Sequence, residues 1–187
     1  MPDTADLYLH SSLREGLLEH LFVGQVMQVL WQRGSRDFEI LRPTTDAAGY
    51  DVVLAANGAI RHVQLKSSAH GARTSQQKIN TALARQPSGC VVWMQFDPSD
   101  MALGPFGWFG ATPGAPLPEL GDRVARHTKA NAKGVKARRS AIRVLNKGQF
   151  DLGLTIEAVV DRLFGPQAAR PGRELANGDQ RLYSCIT

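Results

Sequence analysis

The dipeptide Asn57-Gly58 stands between two stretches of alternating apolar and polar residues, and it constrains the fold of this chain more than any other feature. A two-residue type I′ turn needs positive φ at both central positions, and Asn-Gly adopts those angles more readily than other pairs. The flanking stretches, 51–55 and 60–66, are therefore predicted to be the antiparallel strands of a hairpin. With Asn57 and Gly58 as the loop, residues whose numbers sum to 115 face each other.

This register gives the hairpin one polar face and one apolar face. Asp51 and Gln64 are predicted to lie opposite each other, and Lys66 follows two residues later on the same face. The other face is apolar and consists of Val52, Leu54, Val63 and Leu65. Because the register and the hydrophobic pattern agree, a carboxylate, an amide oxygen and an ammonium group are expected together at one end of the hairpin.

Hydrophobic periodicity predicts the remaining elements. Helices are predicted over 12–33, 74–85, 123–138 and 154–164, and strands over 38–42, 90–96, 106–109 and 141–145. The first helix ends at Gly34, as helices often do at a glycine. The order α-β-β-β-α-β predicts an α/β fold in which helices flank a mixed β-sheet. Trp31, Trp93 and Trp108 lie in apolar segments and are expected in the core.

Composition excludes several classes of protein. With 43% hydrophobic and 21% charged residues, the 187-residue chain is predicted to form one domain over 1–165, followed by a tail over 166–187. No apolar run approaches the roughly 20 residues that cross a bilayer, and the first residues lack the basic start of a secretory signal. The two cysteines, Cys90 and Cys185, form no CxxC motif, so a reducing, cytoplasmic location is expected.

The positive charge is concentrated in one segment. The chain has a net charge of +5, and residues 123–147 contain nine Lys and Arg residues and no acidic residue. Exposed helices normally mix both signs, so this segment is predicted to contact a polyanion rather than to be only a solvated face. The candidate contacts to a nucleic-acid backbone are Arg126, Lys129, Lys133, Lys136, Arg138 and Arg139.

Glu19 is a further charged group of interest. It shares an apolar helical stripe with Phe22, and a carboxylate there is costly to bury unless a cation compensates it. Lys66 or a metal ion would serve as that cation. Alternatively, Glu19 pairs with Arg14 or Arg33 at the helix surface.

Carboxylate and amide oxygens beside a lysine suit one kind of chemistry. Hard oxygen ligands bind Mg²⁺, which keeps several waters and accepts phosphate oxygens. The ion polarises the phosphate, while a lysine orients or deprotonates the attacking water or neutralises the developing charge. Phosphodiester hydrolysis is therefore the predicted reaction, and its candidate catalytic residues are Glu19, Asp51, Gln64 and Lys66.

The same residues resemble the motif of the PD-(D/E)XK nuclease superfamily, which includes restriction endonucleases and archaeal Holliday-junction resolvases. In that motif a helix glutamate precedes an aspartate that opens a strand, and (D/E/Q)-x-K closes the next strand. Here the residues are Glu19, Asp51 in GYDVVL, and Gln64-Leu65-Lys66 in HVQLKSS. The resemblance covers about residues 12–96 and implies a restriction-endonuclease-like core.

By this resemblance the chain is expected to be a metal-dependent endonuclease, acting on DNA more than on RNA, with Mg²⁺ or Mn²⁺ as cofactor. Asp51, Gln64 and the backbone carbonyl of Leu65 would hold the ion. Lys66 would be the catalytic lysine, and Glu19 would support the site. Many members of the superfamily act as dimers, although the sequence itself carries no signal for a homodimer.

Gln64 stands where the motif usually has Asp or Glu, although some members of the superfamily carry glutamine there, and its neutral amide oxygen binds a cation more weakly than a carboxylate does. A second interpretation is therefore a protein that binds nucleic acid on the same fold without cutting it. A third is an unrelated interaction domain whose hairpin imitates the motif. Asp46 is an alternative to Asp51 as the acidic residue, and Asp51 is preferred because it alone faces Gln64. Gln77 and Lys78, at the start of the next predicted helix, are expected near the same cleft.

Overall fold

The computed structural model describes residues 9–126 and 138–166, apart from the side chains of Asp46 and Arg138. Helix α1 spans Ser11–Gln32 and helix α2 spans Ile156–Phe164, and no helix in these ranges is long and apolar enough to cross a membrane. The strands are β1 (Glu39–Leu41), β2 (Val52–Ala56), β3 (Ala59–Ala69), β4 (Gln76–Asn80), β5 (Gly89–Phe96), β6 (Leu103–Gly110), β7 (Val124–Arg126), β8 (Arg138–Asn146) and β9 (Asp151–Leu154). Short 3-10 turns cover Asp46–Ala48, Thr81–Arg85 and Lys147–Gln149.

A six-stranded sheet with the order β1-β2-β3-β5-β6-β9 forms the centre of the fold. Strands β3 and β5 are parallel, and all other neighbours in this sheet are antiparallel, so the sheet is mixed. Strands β4, β8 and β7 form a second, three-stranded antiparallel sheet. The predicted α/β class, with a mixed sheet and flanking helices, is confirmed.

The chain packs in three layers. The two helices cover one face of the large sheet, and the small sheet covers the other. Val92 of β5 packs among the helix residues, whereas Val91 beside it packs with Ile79 of β4 and Leu145 of β8. Strand β5 is therefore buried on both faces, which explains why its sequence is an apolar run rather than an alternation.

The central hairpin forms with the predicted register. Asn57 and Gly58 have φ angles of 53° and 77°, as a type I′ turn requires. The ladder begins with Ala56 opposite Ala59 and reaches Val52 opposite Val63. Strand β3 then continues without β2 as a neighbour, and this unpaired edge is where the candidate site lies.

The helix predicted over 74–85 is wrong. Gln76–Asn80 is strand β4, and Thr81–Arg85 is a 3-10 turn. Strand β4 pairs with β8 and buries alternate residues, Gln77 and Ile79, so long-range backbone pairing overrides the local preference for a helix. The connection between β3 and β5 consequently contains a strand where the order α-β-β-β-α-β placed an α-helix.

The basic helix predicted over 123–138 is also wrong in the part that is described. Val124–Arg126 is strand β7, Arg138 begins strand β8, and the two strands pair with each other. This pairing uses backbone groups that a helix would keep within itself. Residues 127–137 lie outside the description, and so do the predicted nucleic-acid contacts Lys129, Lys133 and Lys136.

The three tryptophans differ in exposure. Trp93 and Trp108 are each 3% exposed and belong to the core, as expected. Trp31 is 66% exposed on α1, so its predicted place in the core is wrong. Helical spacing does not show whether an apolar stripe is buried or exposed. Helix α1 has apolar side chains on its buried face and also on its exposed face.

Candidate active site

A cleft of about 550 Å³ opens where β3 continues past the start of β2. Its walls come from the first half of α1, from β3 and from the small sheet. The residues that line it include Glu19, Asp51, Gln64, Leu65 and Lys66, together with Arg14, Gln77, Lys78, Asn80 and Arg139. The structure thus brings the four candidate catalytic residues into one cleft. The alternative acid, Asp46, belongs to a 3-10 turn, and its side chain is not described.

Asp51 stands directly before β2 and is positioned by backbone hydrogen bonds. Its amide donates to the Val63 carbonyl at 2.9 Å, and its Oδ2 accepts the Leu65 amide at 2.6 Å. Leu65 lies beyond the β2 ladder, so the carboxylate takes the place of the strand partner that this amide lacks. The N–H and C=O groups of a strand residue point to the same edge, so the Leu65 carbonyl also faces the Asp51 side.

Gln64 and Lys66 reach the cleft from β3. Gln64 is 5% exposed, and its Oε1 accepts the backbone amide of Asn80 on β4 at 3.2 Å. This bond links the two sheets and leaves one lone pair of the amide oxygen for another partner. Lys66 is half-buried and has no hydrogen-bond or ion-pair partner within residues 9–126 and 138–166. Its ammonium group is therefore available to a ligand.

Glu19 lines the cleft from α1 and is paired with a residue that the sequence did not indicate. Its Oε1 accepts Arg42 Nε at 2.6 Å, and its side chain is 20% exposed. Neither Lys66 nor the surface arginines Arg14 and Arg33 form this pair, so those predicted partners are wrong. Arg42 follows the edge strand β1, and no local pattern signals that this strand end approaches α1.

The small sheet brings further positive charge to the cleft. Lys78 of β4 and Arg139 of β8 both line it. Lys78 was expected there from a helix and reaches the cleft from a strand instead. Arg126 is exposed at the end of β7, and only the backbone of Arg138 is described. Of the two predicted nucleic-acid contacts whose side chains are described, Arg126 and Arg139, the structure places Arg139 at the cleft.

The donors at this site are oxygen atoms. Among the described residues, no three His, Cys, Asp or Glu side chains come together as a metal cluster. The residues lining the cleft that could offer oxygen donors are Asp51 through its carboxylate, Gln64 through its amide oxygen and Leu65 through its backbone carbonyl. Hard oxygen donors suit Mg²⁺ or Mn²⁺ rather than a soft metal. These donors fit the predicted Mg²⁺ or Mn²⁺. Because one of them is a neutral amide, the affinity for the ion is expected to be lower than that of a site with two carboxylates.

The chain is similar in fold to solved structures of two proteins. One is a Holliday junction resolvase from Archaeoglobus fulgidus, at 14% identity and a TM-score of 0.35, covering 70% of this chain and 92% of that one. The other is a bacterial homing endonuclease, at 16% identity and a TM-score of 0.27, covering 73% of this chain and 88% of that one.

Both of these proteins are nucleases. The predicted resemblance to restriction-endonuclease-like nucleases agrees with both matches. No family model matches the sequence, and no curated protein is significantly similar to it. The candidate function therefore depends on this chain's own residues.

Proposed function

We propose that this protein hydrolyses phosphodiester bonds of nucleic acid, DNA in preference to RNA, with a divalent metal ion. The observation that carries the proposal is the convergence of Asp51, Gln64, Leu65 and Lys66 on one cleft. The hairpin register places these groups, and the second sheet adds positive charge beside them. Such a cleft suits a phosphate backbone, because its cations offset the charge of the substrate.

Asp51, Gln64 and the Leu65 carbonyl would hold the ion in this proposal. Mg²⁺ or Mn²⁺ bound there would polarise the scissile phosphate and lower the pKa of a water. The hydrogen bond from the Leu65 amide keeps the Asp51 carboxylate in place before any ligand arrives. A carboxylate fixed in this way needs less reorganisation on binding than a mobile side chain would.

Lys66 has the role of the catalytic lysine. Its ammonium group has no competing partner among the described residues, so it can hold the attacking water or stabilise the charge that develops on the phosphate. Glu19 acts differently, because its carboxylate is engaged by Arg42. We assign Glu19 to positioning: the ion pair fixes the wall of α1 against the end of β1.

One observation favours a second candidate function, nucleic-acid binding without cleavage. Gln64 supplies no charge to the donor set, and its oxygen already accepts the Asn80 amide. If this bond fully occupies Gln64, Asp51 remains as the single side-chain ligand. Under this alternative, DNA affinity persists in a chelator and is the same in Asp51→Ala as in the wild type.

The deciding experiment combines plasmid nicking in Mn²⁺ with calorimetric titration of Mn²⁺ on the same samples. The wild type is expected to nick DNA and to bind Mn²⁺, and Asp51→Ala is expected to lose both. Lys66→Ala is expected to keep Mn²⁺ binding and to cut at least about a hundredfold more slowly, because an electrostatic or acid–base contribution is removed. Arg85→Ala removes an exposed cation that lies outside both the cleft and the basic segment 123–147, so it is the control and should cut normally.

Each outcome selects one function. Wild-type protein that cuts neither DNA nor RNA, or Lys66→Ala that cuts as fast as the wild type, contradicts the nuclease. Absent Mn²⁺ binding with retained DNA affinity supports the non-catalytic alternative. In that case Gln64→Glu supplies the missing carboxylate and should create measurable Mn²⁺ binding.

A further inference from the structure

Gln77 of β4 places an amide where the fold calls for an apolar side chain. The side chains of β4 alternate, and the two that face inward are Gln77, at 8% exposed, and Ile79, at 0%. Ile79 belongs to the core, and the residue opposite Gln77 on β8 is Leu145, which is fully buried. The alternation of a half-buried strand would therefore predict another apolar residue at position 77.

The amide of Gln77 has no hydrogen-bond partner. Its Nε2 is buried, and no acceptor within residues 9–126 and 138–166 reaches it. The other buried amide of the cleft, that of Gln64, accepts the backbone N–H of Asn80. Buried polar groups nearly always have a partner, because giving up hydrogen bonds to water without replacement is unfavourable. Since Gln77 also lines the cleft, its partner is expected to belong to a ligand that enters there.

The charges of the cleft indicate the chemistry of that ligand. Lys66, Lys78 and Arg139 line the same cleft and attract an anionic group to it. The NH2 group of Gln77 is a donor, and the oxygen atoms of a phosphate are acceptors. Because no described residue holds this amide in one orientation, rotation about its terminal bond can turn the NH2 group toward the cleft.

We propose that Gln77 binds the nucleic-acid backbone, with its NH2 group donating a hydrogen bond to a phosphate oxygen. The inference rests on the proposed binding of nucleic acid in the cleft and adds a neutral contact to the cationic ones. Gln77 lies three residues, or about 10 Å along the strand, from Asn80, which contacts Gln64. It therefore contacts the strand that passes the site and is separate from the oxygen donors proposed for the metal ion.

A neutral donor leaves a signature that a lysine or arginine does not. It neutralises no phosphate and so releases no counterion, which makes its contribution to affinity independent of salt concentration. Its contribution is also independent of base sequence, because every nucleotide carries the same phosphate. A contact to a base edge would instead favour some sequences over others.

Fluorescence anisotropy of labelled duplexes, with the full chain in a chelator, tests the inference without any cleavage. Gln77→Leu is expected to bind DNA about ten- to a hundredfold more weakly, because it loses one hydrogen bond to a charged group. The slope of log affinity against log salt concentration should not change, and the loss should be equal on two duplexes of unrelated sequence. Gln76→Leu removes an exposed amide from the other face of β4, outside the cleft, and is the matched control that should bind normally.

Two further measurements separate a contact to DNA from a structural role. Gln77→Leu should fold at least as stably as the wild type, since position 77 faces the buried Leu145, and it should keep the wild-type affinity for Mn²⁺. Gln77→Glu keeps the shape of the side chain but replaces the donor by a carboxylate that repels phosphate. It should therefore bind DNA more weakly than Gln77→Leu does.

The failure of this inference differs from the failure of the proposed function. If the wild type binds DNA and Gln77→Leu binds it equally well, the inference is overturned and the proposed function stands. The same holds if the loss in Gln77→Leu depends on base sequence or alters the salt slope, or if Gln77→Glu binds DNA as tightly as the wild type. A wild type without affinity for DNA or RNA contradicts the proposed function and this inference together.

Discussion

At the scale of single residues, Arg61 shows how this fold accommodates a buried charge without a carboxylate. Its guanidinium is fully buried, and it donates to Ser88 Oγ at 2.9 Å and to the Ala111 carbonyl at 3.0 Å. The group also lies 5.2 Å from the centre of the Trp108 ring. Cys90 is close by, and burial raises the pKa of its thiol to about 11, although Arg61 acts in the opposite direction. Burial is therefore the stronger influence on this cysteine.

Cys90 is expected to be unreactive in the native protein. Its pKa is raised from the ordinary value of 9.0 to about 11, so at any pH below 9 the thiolate is about a hundredfold scarcer than in an exposed cysteine. The neutral thiol persists until the pH approaches 11. Titration of a Cys185→Ser variant with a thiol reagent should show no fast reaction under native conditions and one reactive thiol after unfolding. Fast native labelling would contradict the burial.

At the scale of elements, the hairpin turn is tied to the loop that follows α1. The Asp37 carboxylate accepts the Asn57 amide at 2.8 Å and the Ser35 hydroxyl at 2.9 Å. These hydrogen bonds hold the pKa of Asp37 below its usual value, the Ser35 bond having the larger effect. The stabilisation they provide is present at neutral pH and is lost as the pH falls through the lowered pKa. The turn that sets the register of β2 and β3 is thus secured from outside the hairpin.

Replacement of Gly58 by alanine should destabilise the protein by about 1–2 kcal/mol, because φ of 77° is unfavourable for any residue with a Cβ atom. The site itself is open, so no clash adds to this effect. The free energy of unfolding in urea measures the loss. Gly148→Ala is the matched control: Gly148 also has open space and lacks a positive φ, so its replacement should be neutral or slightly stabilising. Equal stability of the two variants would contradict the type I′ turn.

At the scale of the whole molecule, the cleft lies between layers and depends on both sheets. The large sheet supplies Asp51 and Lys66, and the small sheet supplies Lys78 and Arg139. The Gln64–Asn80 hydrogen bond joins the two layers at this point. Positive side chains from both sheets thus line the cleft that also contains the oxygen donors, and under the proposed function they would contact the backbone of a nucleic acid.

Lys78→Ala and Arg139→Ala are expected to weaken DNA binding by electrostatics alone. Each removes about one phosphate contact, so the slope of log affinity against log salt concentration should fall by about 1 per substitution, with little dependence on DNA sequence. Fluorescence anisotropy of a labelled duplex in a chelator measures this slope. Arg85→Ala removes an exposed arginine that does not line the cleft and should leave the slope unchanged. Unchanged slopes in all three variants would show that DNA binds elsewhere.

The sequence by itself determined the hairpin and the convergence of its polar residues. A two-residue turn leaves one register, and the alternation of side chains then decides which residues share a face. Asp51, Gln64 and Lys66 could be placed together for that reason, since their relation depends on few residues close in the chain. Strand β5 and helix α2 could also be recognised from the sequence. A strand buried on both faces is apolar throughout, whereas a helix buried on one face has apolar residues at helical spacing.

Only the tertiary structure decided the rest of the cleft. Gln76–Asn80 forms a strand because its backbone pairs with that of β8. The same pairing places Lys78 and Arg139 at the site. The ion pair of Glu19 with Arg42 likewise joins separate elements. Periodicity reports that a face is apolar but not what covers it, so the exposed face of α1 became evident only when the layers were assembled. Contacts between distant segments depend on the shape of the whole chain, which no local pattern encodes.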